Sequence, residues 1–173
     1  MFKKALFTGM LFRPRAVSAQ ELQCRADADG PEAQNNLGAL FSNSDLPAAA
    51  ASCYRKAAQE GNSMAQNNLA LMYTAGDGVE RDLSEATKWF SRAAAQGDPA
   101  AQYHLGDRCF RASLTLPKAE ADEARIEAFK WLQLSSAQGY PNADACRELV
   151  NLQMSQADVA EGSRRVYSFV AAT

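Results

Sequence analysis

The sequence predicts an all-α fold, a solenoid of helix-turn-helix repeats, and three observations lead to this prediction. Alanine provides 34 of the 173 residues, against 10 glycines and 6 prolines. A nine-residue segment occurs three times, and a second recurring segment follows each copy. Alanine has the highest helix propensity and lets neighbouring helices approach closely. Repeats of about 20 to 50 residues are typical of stacked structural units, so we expect helix pairs packed side by side.

The first recurring segment reads AQNNLGALF, AQNNLALMY and AQYHLGDRC. Its copies begin at Ala33, Ala65 and Ala101. The alanine, the leucine, the small residue after it and the last residue fall at i, i+4, i+5 and i+8, which is one face of a helix. We expect the small residue to mark the closest approach of the second helix in each repeat. The small residues are Gly38, Ala70 and Gly106.

The second recurring segment reads CYRKAAQEG, WFSRAAAQG and WLQLSSAQG. Its aromatic and alanine residues form the stripe that we expect to face the first helix. In the middle copy the two helices are joined by a Gly-Asp-Gly-Val turn at 76–79, where glycine adopts positive φ without strain. A glycine also ends each second helix. These glycines are Gly61, Gly97 and Gly139.

Polar residues at the expected helix starts predict caps. Asp82 precedes the second helix of the middle copy, and Glu85 three residues later predicts a capping box. Asp98, followed by a proline, is predicted to cap the next first helix. Ser155 is predicted to cap a last helix that runs to about Phe169.

Together these features resemble the Sel-one-like repeat (SLR), a relative of the tetratricopeptide repeat. The middle copy matches its pattern almost throughout, and the resemblance covers about residues 29–153. It implies a right-handed α-solenoid with a C-terminal capping helix, because end repeats otherwise expose apolar faces. The implied units are an array at 21–153, with repeats at about 29–60, 61–96 and 97–138 and a half repeat at 139–153, and the capping helix at 154–173.

Two copies depart from the family pattern. The first has Ser-Asn-Ser-Asp at 42–45 in place of the glycine turn. The third has Cys109 where the aromatic residue belongs, and an insertion around 112–123. We expect its second helix to resume at Ile126, and the half repeat to hold one helix at about 141–153.

Residues 1–20 predict a targeting segment or an N-terminal arm, because four basic residues and no acid surround a short apolar core at 5–12. A bacterial export signal cut before Gln20 is favoured, although Arg-Pro-Arg at 13–15 interrupts it. A mitochondrial presequence and an uncleaved helix or arm are the alternatives. The compartment therefore stays open: periplasmic or secreted in a bacterium, mitochondrial, or cytoplasmic.

Charge and hydropathy exclude two classes of function. Residues 21–173 hold 14 basic and 20 acidic residues, a net charge of −6. An acidic body argues against nucleic acid as the partner, since phosphate binding needs basic surfaces. No apolar run reaches the roughly 18–20 residues that an integral membrane helix requires.

The sequence predicts no catalytic, cofactor or metal site. The one histidine, His104, takes a position that the other copies fill with Asn36 and Asn68, so we interpret it as a polar helix residue. Cys109 lies five residues from His104, beyond one helical turn but nearby, so a Cys-His dyad is disfavoured, and no GxSxG motif is present. Five aromatic residues have the spacing of a helical core: Tyr73, Trp89, Phe90, Phe129 and Trp131. Four acidic residues suggest a solvated helix start rather than a cation site: Glu120, Asp122, Glu123 and Glu127.

The four cysteines leave two interpretations open. They are Cys24, Cys53, Cys109 and Cys146. No CxxC motif occurs, which argues against a zinc or thioredoxin-type site. They are either small buried hydrophobic residues or, in an exported protein, two disulfides.

The resemblance implies a non-enzymatic scaffold or adaptor for a protein or peptide partner, since SLR proteins usually assemble or regulate complexes. Family members include envelope-associated regulators, immunity proteins and assembly factors. By analogy with tetratricopeptide geometry, the groove-facing positions lie two residues before and two after the repeat leucine. They are Asn35, Asn67 and Tyr103, then Ala39, Leu71 and Asp107. An asparagine amide can both donate to and accept from a peptide backbone.

Two other functions are considered. Some cysteine-rich SLR proteins bind or hydrolyse β-lactams, but they carry one disulfide per repeat, and that regular pairing is absent here. A redox-responsive, chaperone-like protein that uses the four cysteines is the other alternative.

Overall fold

The computed structural model describes residue 22 and residues 26–172, and the described residues form no β-strand. Residue 22 and residues 26–29 are helical, and eight further helices follow. These are α1 (Pro31–Ser42), α2 (Pro47–Gln59), α3 (Ser63–Ala75), α4 (Leu83–Ala95), α5 (Pro99–Ser113), α6 (Lys118–Ala137), α7 (Ala143–Asn151) and α8 (Gln156–Ala172). The predicted all-α solenoid is confirmed, because α1/α2, α3/α4 and α5/α6 pack as successive pairs and each second helix also packs on the next first helix.

The small residues of the first helices lie where the two helices of a pair touch. A Cβ atom on Gly38 would lie 2.7 Å from the Tyr54 ring, and one on Gly106 would lie 2.7 Å from Cγ of Leu132. Ala70 has no exposed surface. A larger side chain at either glycine would push the second helix away, so the predicted role is confirmed for Gly38 and Gly106, and Ala70 lies buried in the core.

The predicted aromatic core is confirmed. Trp89, Phe90, Phe129 and Trp131 are each at most 9% exposed, and Tyr73 is half-buried against the same core. Around them the alanines of the second helices are almost fully buried. Because the helices meet through alanine and glycine, the bulky rings fill the space between neighbouring repeats.

The predicted caps form, with one correction. Asp82 accepts hydrogen bonds from the backbone N–H groups of Ser84 and Glu85, at 2.8 and 3.0 Å. Asp98 caps α5 in the same way, through the N–H of Ala101. The capping box at Glu85 was a wrong prediction, because the Glu85 carboxylate pairs instead with Lys88 one turn later. The backbone N–H of Asp82 is already used by the carbonyl of Tyr73.

The last helix does carry a reciprocal cap. The Ser155 hydroxyl accepts from the N–H of Asp158 at 3.2 Å, and the Ser155 N–H donates to the Asp158 carboxylate at 3.1 Å. The helix then continues to Ala172, three residues beyond the predicted end at Phe169.

A buried glutamine joins each repeat to its neighbours. Gln66 donates from Nε2 to the carbonyl of Ala58 in the preceding second helix, at 3.0 Å, and accepts from Gln96 at the end of its own repeat, at 2.8 Å. Gln102 makes the equivalent bonds to Ala94 and Gln138, at 3.3 and 2.9 Å. One amide therefore sets the distance between two consecutive second helices.

The array ends because α7 lacks the residues that receive a second helix. At the positions of the repeat leucine and small residue, α7 has Arg147 and Glu148. The last helix, α8, packs instead on α6, with Gly162 against the ring of Phe129. The helix α7 itself is shorter than the predicted 141–153, since it begins after Asn142 in the left-handed region.

The insertion of the third repeat is helical, which corrects the predicted restart at Ile126. The helix α6 begins at Lys118, because the inserted residues are rich in alanine, lysine and glutamate, which favour helix.

The acidic cluster of α6 is not simply solvated, which corrects the second expectation for this region. Glu123 and Glu127 accept hydrogen bonds from Arg165 of α8, at 2.6 and 2.7 Å. The Arg165 bond holds the pKa of Glu123 below its usual value.

The remaining members of the acidic cluster differ from this pair. Asp122 pairs with Arg125 within the same helix, and Glu120 lies exposed in the first turn of α6. The insertion therefore lengthens α6 to the point where its acidic residues bind the capping helix.

Replacing Gly106 by leucine tests the close contact between helices. We expect the Gly106→Leu protein to lose about 1–3 kcal/mol of unfolding free energy, or more. The new side chain would be too large for the space between α5 and Leu132 of α6. The Ala70→Leu change acts in the same direction. Urea denaturation measures the loss. Ala112→Leu, at an exposed position of the same helix, is the matched control, and equal stability of Gly106→Leu and this control would contradict the assigned contact.

Candidate protein-binding surface

The six residues predicted to face a partner lie on α1, α3 and α5. The repeat leucines of these helices, Leu37, Leu69 and Leu105, are buried against the second helices. Positions two residues before and two after a leucine lie about 200° around the helix, on its opposite side. We call the surface formed by these opposite sides of α1, α3 and α5 the first-helix face.

The residues before the leucine lie between successive first helices. Asn35 is 5% exposed, and its Oδ1 accepts a hydrogen bond from Nδ2 of Asn68 on α3, at 3.1 Å. Asn67 is 8% exposed, and within the described part of the chain its buried Oδ1 has no hydrogen-bond partner. The two amides therefore differ, because the Oδ1 atom of Asn35 is bonded within the array and the Oδ1 atom of Asn67 is not.

Tyr103 takes the corresponding place in the third repeat. Its hydroxyl lies 3.6 Å from Sγ of Cys146 on α7, and its ring lies against Tyr140 and His104, with centroids 5.2 and 5.4 Å away. The hydrogen bond to Cys146, together with burial, raises the pKa of Tyr103 to about 12. The hydroxyl is therefore neutral and remains a hydrogen-bond donor across the physiological range.

The residues after the leucine are more accessible. Leu71 is 37% exposed, whereas Ala39 and Asp107 are half-buried. The Asp107 carboxylate is held by Arg111 one turn later, at 2.7 Å. Leu71 is thus the large apolar side chain that this set offers to a partner.

Leu71 lines a groove of about 230 Å³ near the C-terminal ends of α1 and α3. The groove has an apolar side formed by Leu71, Met72 and Ala75, with the Tyr54 ring of α2 beside them. Its polar lining comes from Ser42, Asn68 and Asp77. Sequence reasoning identified Leu71 alone, because the other lining residues come from other positions of α3, from the end of α1, from the turn after α3 and from α2, and they share no repeat position with it.

Two titratable groups near this face, Cys109 and His104, have shifted pKa values. Burial raises the pKa of the Cys109 thiol to about 11, so the thiol stays protonated at neutral pH and is a poor nucleophile. Burial also lowers the pKa of His104, whose ring packs 5.2 Å from that of Phe90. Nowhere in the described ranges do three His, Cys, Asp or Glu side chains come together as metal ligands.

The cysteines give no regular pairing in the part of the chain that the structure covers. Cys109 and Cys146 are half-buried thiols on α5 and α7, and Cys53 is fully buried in α2. Cys24 lies outside the described residues, as does the predicted segment at 1–20. Among the helices described, none is both long and apolar enough to cross a bilayer.

Comparison with known proteins identifies the repeat. The Sel1 repeat family matches residues 31–62, 63–98 and 99–140. Two curated relatives are the DAP3-binding cell death enhancer 1 proteins of Rattus norvegicus and Mus musculus, 38% and 39% identical over 95 residues. The match covers 54% of this chain and 18% of each relative, so the chain spans less than a fifth of their length.

Two solved structures share the architecture. A Sel1 repeat protein from Oxalobacter formigenes is 31% identical, with a TM-score of 0.58, over 75% of this chain and 96% of that one. A protective antigen present in uropathogenic Escherichia coli strains, which displays an SLR fold, has a TM-score of 0.75 over 88% of this chain and 32% of that one. At 24% identity the second likeness concerns the fold alone.

The titration of His104 tests the packing beside this face. Burial lowers its folded-state pKa below the ordinary 6.5, although Asp107 and Asp98 act in the opposite direction. The neutral ring therefore contributes stability above pH 6.5, and this contribution is lost as the pH falls through the folded-state pKa. We expect an NMR titration of this single histidine to give a midpoint below 6.5.

The matched variant is His104→Asn, which places the residue of the other repeats at this position. It should remove part of the loss of unfolding free energy below pH 6.5. A midpoint at or above 6.5, or an unchanged pH dependence in the variant, would contradict the assigned burial.

Proposed function

Because the chain belongs to the Sel1 repeat family, we propose that it is a non-enzymatic scaffold or adaptor that binds a partner protein on the concave face of the solenoid, the first-helix face. Sel1 repeat proteins generally mediate protein–protein interactions. The relatives named as DAP3-binding are similar to this chain over 95 residues, which supports a protein as the ligand. A fold of stacked helices presents such a ligand with a long surface rather than a deep cavity.

The observation that carries the proposal is the groove at Leu71. Leu71, which is exposed beside Met72 and Ala75, provides an apolar contact site for one side chain of a partner. Asn68 and Asp77 at the same groove provide an amide and a carboxylate for polar contacts. This combination of a small apolar contact site with polar groups around it suits a peptide segment or a helix of another protein.

Asn67 belongs to the same proposal. Its Oδ1 is buried without a donor in the described part of the chain, which costs about 1–3 kcal/mol, and a partner recovers that cost only if it displaces the side chains that cover this oxygen and supplies an N–H group. Tyr103, with its neutral hydroxyl, and Asp107 extend the same surface onto α5. Ala39 begins it on α1, where Asn35 is buried beneath the surface and bonded to Asn68. The proposed contact surface therefore crosses all three first helices.

Narrower roles are part of the same proposal. An envelope-associated regulator, an immunity protein and an assembly factor would each use this surface to hold one partner. These three roles differ in the identity of the partner, but each would use the same binding surface. The Cys109 thiol, with its raised pKa, argues against a nucleophilic role and so supports a scaffold without enzymatic activity.

The double variant Asn67→Ala, Leu71→Glu tests the surface. It removes the unused acceptor and places a charge at the apolar contact site, so partner binding should weaken about tenfold or more if one well-packed contact is lost. The fold should be retained, since Leu71 is already exposed and the Asn67 oxygen has no partner to lose. The measurement is quantitative affinity purification from the native cell, followed by binding of the identified partner to the purified variants.

The matched control is Leu116→Glu. Leu116 is 38% exposed, almost the same as Leu71, but lies in the turn between α5 and α6. A partner retained by the native chain and by the control, and lost by the double variant, is the expected result. Equal binding of that partner to all three proteins would move the surface elsewhere and contradict the proposal.

A further inference from the structure

The helical segment at 26–29 has the features of a second helix of a repeat. It is followed by Gly30 with φ of +88°, as α2, α4 and α6 are followed by glycines with φ of +96°, +89° and +75°. Ala26, four residues before its glycine, is 5% exposed, and the equivalent Ala57 and Ala93 are fully buried. The recurring pattern therefore begins upstream of the three repeats that the family matches.

The contact between this segment and α1 also resembles the contact between successive repeats. The Gln34 side chain on α1 donates to Asp27, the residue three before Gly30. Gln66 and Gln102 donate to the residues three before Gly61 and Gly97, namely Ala58 and Ala94. Lys56 on α2 also bonds Asp27, at 2.9 Å. Gln34 bonds the Asp27 carboxylate, whereas Gln66 and Gln102 bond backbone carbonyls, so the segment at 26–29 contacts α1 at the same positions of the pattern but through a different acceptor.

A groove of about 240 Å³ lies beside this segment. Its lining comes from Leu22, Ala26, Asp29, Ala33, Asn36, Leu37 and Leu40. Leu40 is 58% exposed, whereas Met72, at the same position of α3, is 7% exposed because the preceding repeat covers it. The groove therefore lies where the first helix of a preceding repeat belongs, and it continues the established packing of the array.

We propose that this groove is the seat of residues 4–12 of the same chain, which complete a further N-terminal repeat. These residues lie outside those that the structure describes, and the argument comes from their sequence. They read KALFTGMLF, against AQNNLGALF at 33–41, so glycine, leucine and phenylalanine recur at an offset of 29. Gly9 falls at the small-residue position that lets a second helix approach.

The spacing along the chain supports the same register. From Lys4 to Leu22 there are 18 positions, close to the 20 that separate Ala33 from Cys53 in the first matched repeat. Leu22 is eight residues before Gly30, as Cys53 is eight before Gly61. Leu6, Phe7 and Leu11 would add apolar surface to a groove whose own lining is mostly apolar.

Photo-crosslinking in the full chain tests this assignment. Replacing Leu40 with p-benzoylphenylalanine places a reactive group at the groove, and peptide mass spectrometry then locates the crosslink. We expect crosslinks to residues 4–12 within one chain, so that a mixture of light and isotopically heavy protein gives no mixed pairs. Phe12→Asp should lower the yield severalfold, and Lys3→Ala should leave it unchanged.

The control places the same group at Leu152, which is 80% exposed at the other end of the array, and should give no crosslink to residues 4–12. Three results would overturn the proposal. These are crosslinks from position 40 only to other parts of the chain, mixed pairs that show a second copy in the groove, and a mature protein from the native cell that begins at Gln20.

Discussion

The buried glutamine at the start of each first helix is the interaction on which the array depends. Its Nε2 needs an acceptor and its Oε1 needs a donor, because a buried amide without partners is costly. Gln102 satisfies both only when α4 and the end of α6 stand at one particular separation. The close contacts at glycine and alanine then bring the helices of a pair together, and the first helices lie side by side.

Most of the fold could be predicted from the sequence, because the residues concerned act locally or recur. Gly106 is recognisable as a contact point from its repeat position, and Asp98 is recognisable as a cap from the proline that follows it. The partners of the glutamines were not predictable. The pattern shows that Gln66 recurs, but its acceptor is a backbone carbonyl of another helix. Every residue has such a carbonyl, so the sequence does not indicate which one accepts the bond.

The candidate surface was less predictable, since it depends on how neighbouring helices are rotated. Asn35 and Asn67 occupy equivalent positions, yet one is bonded to Asn68 and the other is not, because His104 replaces asparagine in the third repeat. The contact of Arg165 with Glu123 and Glu127 joins α8 to an insertion that only this repeat has. Contacts of this kind arise between residues that no periodic pattern relates.

A double-mutant cycle on Gln102 and Gln138 tests most directly whether the glutamine joint holds the array. Each residue is replaced by methionine, singly and together, and the unfolding free energy of all four proteins is measured by urea denaturation. The bond between the two amides predicts a favourable coupling of about 0.5–3 kcal/mol. A coupling of zero would show that the two side chains contribute independently, and it would contradict the central role of the joint.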